Sequence, residues 1–201
     1  SPVVGDGVVY CSAAYGVGAG AVRVSGTAST FVATEVWRTP GDNMNILVIN
    51  CGSSSLKFQI VHTDLDLIEK NQDRRLASGN LERIGTQAVI TLQAEGQSKV
   101  KQVAPLRDHR QALDFLIRWI TSPESKIEGI KTLADIHAVG HRVVHGAEKF
   151  TMSASIDDKV IEGIQDCIDL APLHNPANLK GIIAARDLFG RLPGENVGVV
   201  H

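Results

Sequence analysis

Hydrophobic and polar positions are most clearly ordered between residues 46 and 60. Ile46-Leu47-Val48-Ile49 is a short apolar run bounded by a Gly/Ser cluster, after which Leu56, Phe58 and Ile60 recur at every second position. A period of two puts alternate side chains on opposite faces of an extended chain. The segment therefore predicts two strands joined by a tight turn at Gly52-Ser53-Ser54-Ser55. Further short strands are expected at 75–83 and 88–93, the second running into a turn at Ala94-Glu95-Gly96-Gln97.

The period changes after residue 107. Asp108-His109-Arg110-Gln111 has the spacing of a capping box, which satisfies the free N–H groups at a helix start. Leu113, Leu116, Ile117 and Ile120 then fall on one helical face. Residues 136–145 read as a strand. Ser155 is expected to cap a helix striped by Ile161, Ile164 and Ile168. Asn175-Pro176 opens another helix, with the asparagine as cap and the proline at the first helical position, and that helix ends near Gly190. Residues 196–200 form a last buried strand. Hairpins followed by strand–helix alternation imply an α/β domain with a mixed sheet.

Residues 1–43 stand apart. They are rich in Gly, Ala, Val, Ser and Thr, contain no lysine, keep no sustained period and end in the turn signal Pro40-Gly41-Asp42-Asn43. They read as an N-terminal extension, disordered or not native, with a mobile targeting arm as the alternative; the domain proper runs from 44 to 201. A chain of 201 residues holds one large domain or two small ones. The formal net charge of −2 and the lack of a basic tract give no support for a nucleic-acid or membrane partner. Three widely spaced cysteines, Cys11, Cys51 and Cys167, fit reduced thiols better than a disulfide framework. With no apolar stretch near the ~20 residues that span a bilayer and no signal-peptide pattern at the start, the expected location is the cytoplasm.

Three constellations carry candidate chemistry. In the first, Ser53, Ser55 and Lys57 share a face of the hairpin while Leu56, Phe58 and Ile60 point into the core. Backbone N–H groups, hydroxyls and an ammonium in one tight turn suit phosphate oxygens, and Asn50 can offer its amide oxygen to a hydrated Mg²⁺. The plain alternative is a polar turn beside a solvated lysine. Cys51 in this turn also invites a nucleophile reading, though no general base can be assigned to it. The second constellation is Gly140-His141-Arg142-Val143-Val144-His145-Gly146, which sets Arg142 between Gly140 and Val144 on one strand face. Such an arginine can hold a carboxylate or phosphate beside a shallow apolar pocket, or form an ordinary strand-end ion pair. His141 and His145 are better read as core or hydrogen-bonding residues than as a metal pair. The third, Leu170 to Asn178, puts His174 and an asparagine at a helix N-terminus, where partial positive charge favours anions, the plain alternative being a capping turn with a satisfied histidine.

The runs Asn50-Cys51-Gly52-Ser53-Ser54-Ser55-Leu56-Lys57-Phe58, Gly140-His141-Arg142-Val143-Val144-His145-Gly146-Ala147-Glu148-Lys149-Phe150 and Ala171-Pro172-Leu173-His174-Asn175-Pro176-Ala177-Asn178, in this order, closely resemble the acetate kinase (acetokinase) family. The resemblance covers Met44 to about Val200 and implies the ribonuclease-H-like, mixed-sheet α/β lobe of the acetate/sugar kinase–Hsp70–actin fold. It implies the N-terminal lobe only: the family continues into a Phe-Asp-Thr-Ala-Phe-His motif and a second lobe, which are expected to be needed for activity. The implied reaction is reversible transfer of the ATP γ-phosphoryl group to acetate with Mg²⁺, giving acetyl phosphate and ADP, in a cytoplasmic homodimer. By position, Asn50 resembles the family's metal-site asparagine, Ser53, Ser55 and Lys57 its phosphate-loop residues, and Arg142 its substrate-holding arginine. Val144 and Leu173 resemble the wall around the acetate methyl, and His174 an active-site histidine. Gly146-Ala147 departs from the family's usual pair of glycines. A kinase for propionate or another short acid, and a non-catalytic anion-binding or interaction lobe, are the alternatives.

Overall fold

The computed structural model describes residues 3–5, 8–12, 19–27, 30–38, 43–143, 154–189 and 197–200. The first four strands, β1 (Val3–Gly5), β2 (Val8–Ser12), β3 (Ala19–Thr27) and β4 (Thr30–Arg38), pair in sequence order as an antiparallel sheet of their own. This differs from the expected lack of regular structure. The Val- and Thr-rich stretches carry strand propensity even where polar and apolar residues do not alternate.

The alternating segment forms β5 (Met44–Gly52) and β6 (Ser55–Thr63), an antiparallel pair closed by the two-residue loop Ser53-Ser54. A short helix unforeseen from the sequence, α1 (Leu65–Lys70), follows; the Asp64 carboxylate accepts from the Leu67 N–H at 2.7 Å and caps it. Then come β7 (Arg74–Glu82), β8 (Gln87–Ala94) and β9 (Val100–Pro105), each antiparallel to the strand before it. Strand β9 also escaped the sequence reading, because its residues are almost all exposed and show no buried period.

Helix α2 (His109–Ile120) begins where the capping box predicts. Asp108 accepts from the Gln111 N–H at 2.8 Å, but Gln111 returns its side-chain oxygen to the Arg107 N–H rather than to that of Asp108. The chain then enters β10 (Ala138–Arg142), the short β11 (Ala154–Ser155), α3 (Asp158–Asp166), α4 (Asn175–Phe189) and β12 (Val197–Val200). Two expected caps are corrected. Ser155 lies in β11, and Asp157 caps α3 by accepting from the Val160 N–H. Asn175 is already inside the first turn of α4, fully buried, and its side-chain amide donates to the Cys167 carbonyl. Ile168 belongs to a separate 3₁₀ turn.

The larger sheet has the order β11-β12-β10-β5-β6-β7-β8-β9, with β10 parallel to both β5 and β12 and the rest antiparallel. One face is a core. Leu47, Ile49 and Cys51 of β5, Leu56, Phe58 and Ile60 of β6, and Ile90 and Leu92 of β8 are buried there with Leu113, Leu116 and Ile120 of α2. The Phe58 ring meets Trp119 of α2 edge-on, centroids 5.9 Å apart. Helix α4 packs on β5 and β10. The alternate residues of the same strands, including Asn50, Lys57, Gln59, Ser78, Thr91 and Gln93, fall on the opposite face, the result of a side-chain period of two.

Candidate active site

Register brings the first two constellations together. Asn50 on β5 lies directly opposite Lys57 on β6, so their side chains share the open face. Strand β10 runs parallel to β5 with His141 beside Ile49, and the next step of that register sets Arg142 beside Asn50. All three line a cavity of about 530 Å³ on this face. Its lining mixes the apolar Val48, Ile49 and Phe58 with the polar Gln59, Ser78, Thr91 and Gln93, and takes in two further cations, Arg75 and Lys99. No carboxylate among the described residues lines it. Ion pairs among the described residues use Arg74, Arg110 and Arg186, and none engages the four cations of the cavity. Four cations without an ion-pair partner among the described residues attract anions.

The hairpin tip lies past these residues. Ser53 and Ser54 are exposed, and Ser55 is partly buried. A Cβ on Gly52 would stand 2.8 Å from the Ser55 hydroxyl, so glycine is what leaves that hydroxyl room at the turn. Ser53 and Ser55 are not among the residues that line the cavity. Leu173 (78% exposed) and His174 stand at the head of α4 and do not line it either. Val144, His145 and the Gly146-Ala147 pair lie outside the described residues.

Behind the hairpin the layer of helices supplies two hydrogen bonds that the sequence reading missed. The buried His109, first residue of α2, bonds through Nε2 to the Gly52 carbonyl at 2.7 Å. From α4, the buried Asn178 donates its side-chain amide to the Cys51 carbonyl at 2.6 Å. The available signal was a histidine on an otherwise apolar helix face, and spacing alone did not say what it would meet.

Cys51 itself is 1% exposed, and burial pushes its thiol pKa up to about 12. It is a packed thiol and not a nucleophile. His141 is fully buried; burial, partly opposed by the bond of its Nδ1 to the Arg142 carbonyl at 2.7 Å, lowers its pKa to about 4. A carbonyl only accepts, so Nδ1 carries the proton and Nε2 is a lone pair, which has no partner. His141 is thus a core residue, as its strand position suggested. No group of three or more acidic, histidine or cysteine side chains suited to a metal occurs among the described residues. Asn50 offers one neutral oxygen among four cations, a donor set that suits Mg²⁺ only when the ion arrives with phosphate oxygens.

Comparison with known proteins gives this geometry a context. The acetokinase family matches residues 45–201. An acetate kinase of Solibacter usitatus is 57% identical over 147 residues, covering 73% of this chain and 36% of that one. An acetate kinase of Chloroherpeton thalassium is 57% identical over 152 residues, with the same shares. The crystal structure of Porphyromonas gingivalis acetate kinase superposes with a TM-score of 0.69 at 37% identity, covering 78% of this chain and 37% of that one. A propionate kinase of Francisella tularensis gives 0.64 at 32%, covering 78% and 36%. These neighbours have the acetate/sugar kinase–Hsp70–actin fold, and the mixed α/β sheet is its counterpart here. The chain spans about 36% of the length of the curated relatives it matches. A match that runs from residue 45 to residue 201, through all three strands that carry the cavity's Asn50, Lys57 and Arg142, places this chain in the acetokinase family.

Proposed function

We propose that the intact protein moves the γ-phosphoryl group of ATP reversibly to acetate, giving acetyl phosphate and ADP. The observation that carries this reading is the meeting of Asn50, Lys57 and Arg142 at a cavity lined, among the described residues, by four cations and no carboxylate. A carboxylate is already a nucleophile at neutral pH, so the protein's task is alignment and charge neutralisation of an in-line transfer. Lys57, with the Ser53 and Ser55 hydroxyls, holds the donor phosphates. Arg142 is always charged and forks toward two oxygens, so it holds the acceptor carboxylate and the moving phosphoryl group together. Mg²⁺, when bound with the nucleotide beside Asn50, neutralises charge on the phosphate oxygens. Val144 and Leu173 as the wall about the acetate methyl, and His174 as a hydrogen-bond donor to the phosphoryl group, are supported by the family pattern. The cytoplasmic, homodimeric setting belongs to the same reading. The free, buried Cys51 and Cys167 support a reducing compartment, and no helix among the described residues is long and apolar enough to cross a membrane.

A hydroxamate-trapping assay with ATP, Mg²⁺ and acetate tests the reading. The intact protein is expected to form acetyl phosphate, and Arg142→Ala to lose roughly a thousandfold or more in kcat/KM, the scale of removing an arginine from a phosphoryl-transfer site. The 201-residue chain alone is expected to be silent. Full turnover by Arg142→Ala would refute the assignment. The propionate kinase among the solved neighbours supports a second acceptor. One methylene shifts affinity by only ~1–3 kcal/mol, so acetate and propionate are to be run side by side; a clear preference for propionate would replace acetate. Polyphosphate binding without turnover in the intact protein would instead favour a non-catalytic anion-binding lobe.

A further inference from the structure

The hairpin tip is tied back at three carbonyls and left open at two amides. The Cys51 carbonyl accepts from the Asn178 side chain at 2.6 Å, the Gly52 carbonyl bonds the His109 ring at 2.7 Å, and the Ser54 carbonyl accepts from the Ile84 N–H at 2.9 Å. Neither the Ser53 nor the Ser54 N–H donates to any acceptor among the described residues. A carbonyl oxygen has no proton, so His109 is the donor in its bond and carries its hydrogen on Nε2. The peptide that contributes the Gly52 carbonyl also contributes the Ser53 N–H. That peptide is planar and trans, so the two groups point in opposite directions. A donor that pins the carbonyl from the helix side therefore turns the Ser53 N–H away from the helices.

We propose that His109 is a positioning residue for the phosphate loop: by holding the Gly52 carbonyl it aims the Ser53 N–H at a phosphate oxygen of the nucleotide, while Asn178 fixes the preceding peptide. This rests on the phosphate-loop reading above and extends it to two residues that touch no substrate. Rigidity at the tip matters because an amide donor contributes most when its direction is set before the charge arrives. His109 suits the task because it is itself immobile: it is 6% exposed and begins a helix capped by Asp108. Its ring reaches Gly52 from a position 57 residues along the chain, so a helix start is coupled to a hairpin tip.

The test uses ¹⁵N-labelled 201-residue chain and tripolyphosphate as a probe of the donor-phosphate site. Wild-type Ser53 is expected to give a rigid amide order parameter, about 0.85, and a cross-peak that moves on titration. His109→Ala is expected to lower that order parameter below about 0.6 and to weaken tripolyphosphate roughly tenfold, the scale of one charge-assisted hydrogen bond. His109→Gln keeps a side-chain N–H donor and is expected to restore both. Asn178→Asp exchanges the amide donor for a carboxylate and is expected to weaken binding further. A role in stability alone predicts that Gln fails as Ala does, with the Ser53 order parameter unchanged while the melting temperature falls. Unchanged Ser53 order and unchanged affinity in His109→Ala overturn the proposal and leave the phosphate loop intact. No tripolyphosphate binding by wild type overturns the phosphate assignment itself, and the order parameters still decide whether His109 anchors the loop.

Discussion

Replacing Gly181 by alanine sets two effects of opposite sign against each other. Gly181 lies in the interior of α4, where alanine is ordinarily better by ~1 kcal/mol because glycine loses more backbone freedom. The helix, however, rests directly on the sheet at this point. A Cβ would stand 2.4 Å from the Cys51 sulfur, 2.5 Å from His141 Nε2 and 2.9 Å from the Cys51 Cβ. Both neighbours are at most 1% exposed, so neither can swing away into solvent. Relief requires helix and sheet to part by roughly 1 Å, and overpacking on this scale costs ~1–3 kcal/mol or more. The expected net effect of Gly181→Ala is a loss of about 2 kcal/mol in urea unfolding followed by far-UV circular dichroism. Cys51→Ala removes the sulfur but leaves the Cβ and the imidazole contacts. The double variant should therefore recover about 1 kcal/mol relative to the sum of the single changes, a coupling that a double-mutant cycle resolves. Stability of Gly181→Ala equal to or above wild type would show that helix propensity wins and that the close packing of α4 on β5 and β10 has been misread.

Two further outcomes follow from the same buried cluster. The native pKa of His141, about 4, lies below the unperturbed 6.5. Between those values the unfolded chain takes up a proton that the native protein refuses. The contribution is full above pH 6.5 and declines as pH falls toward 4, by up to about 3 kcal/mol from this residue. Urea midpoints measured from pH 7 to 4 should fall more steeply in wild type than in His141→Asn, and parallel profiles would sink the assignment. Cys51, buried with its pKa pushed up to about 12, should stay unmodified by iodoacetamide at pH 8 in native protein and react fully in urea. Rapid native modification of the Cys51 peptide would contradict its burial.

The strands that carry the cavity were readable because their alternation is strong. Leu56, Phe58 and Ile60 are buried and Lys57 lies on the other face, as a period of two requires. Strand β9 was unreadable for the converse reason, since an edge strand with exposed Val100 and Val103 has no core face to impose a period. The misplaced caps have a local cause. Ser155, Asp157 and Asn175 can all cap, and tertiary packing chose Asp157 while drawing Asn175 inward to the Cys167 carbonyl. At the site, the sequence named Asn50, Lys57 and Arg142 separately, and the parallel register of β10 on β5 was needed to seat them together. Arg75 and Lys99 could not be found in advance, because isolated cations on exposed positions carry no spacing signal. His109 was hidden by its place in a capping motif, which accounted for the local pattern without reference to Gly52, 57 positions away.

The two faces of the central sheet answer to different kinds of selection. In β6, Leu56, Phe58 and Ile60 are held by the fit of the helices above them, whereas Lys57 and Gln59 answer to whatever enters the cavity. Exchange within the second set leaves those helix contacts in place, so the groups that line the cavity can change without repacking the core. Gly181 marks where this freedom ends. There the packing of α4 on the sheet and the strand that carries Arg142 meet at the same cysteine and histidine, and a change that suits one is felt by the other.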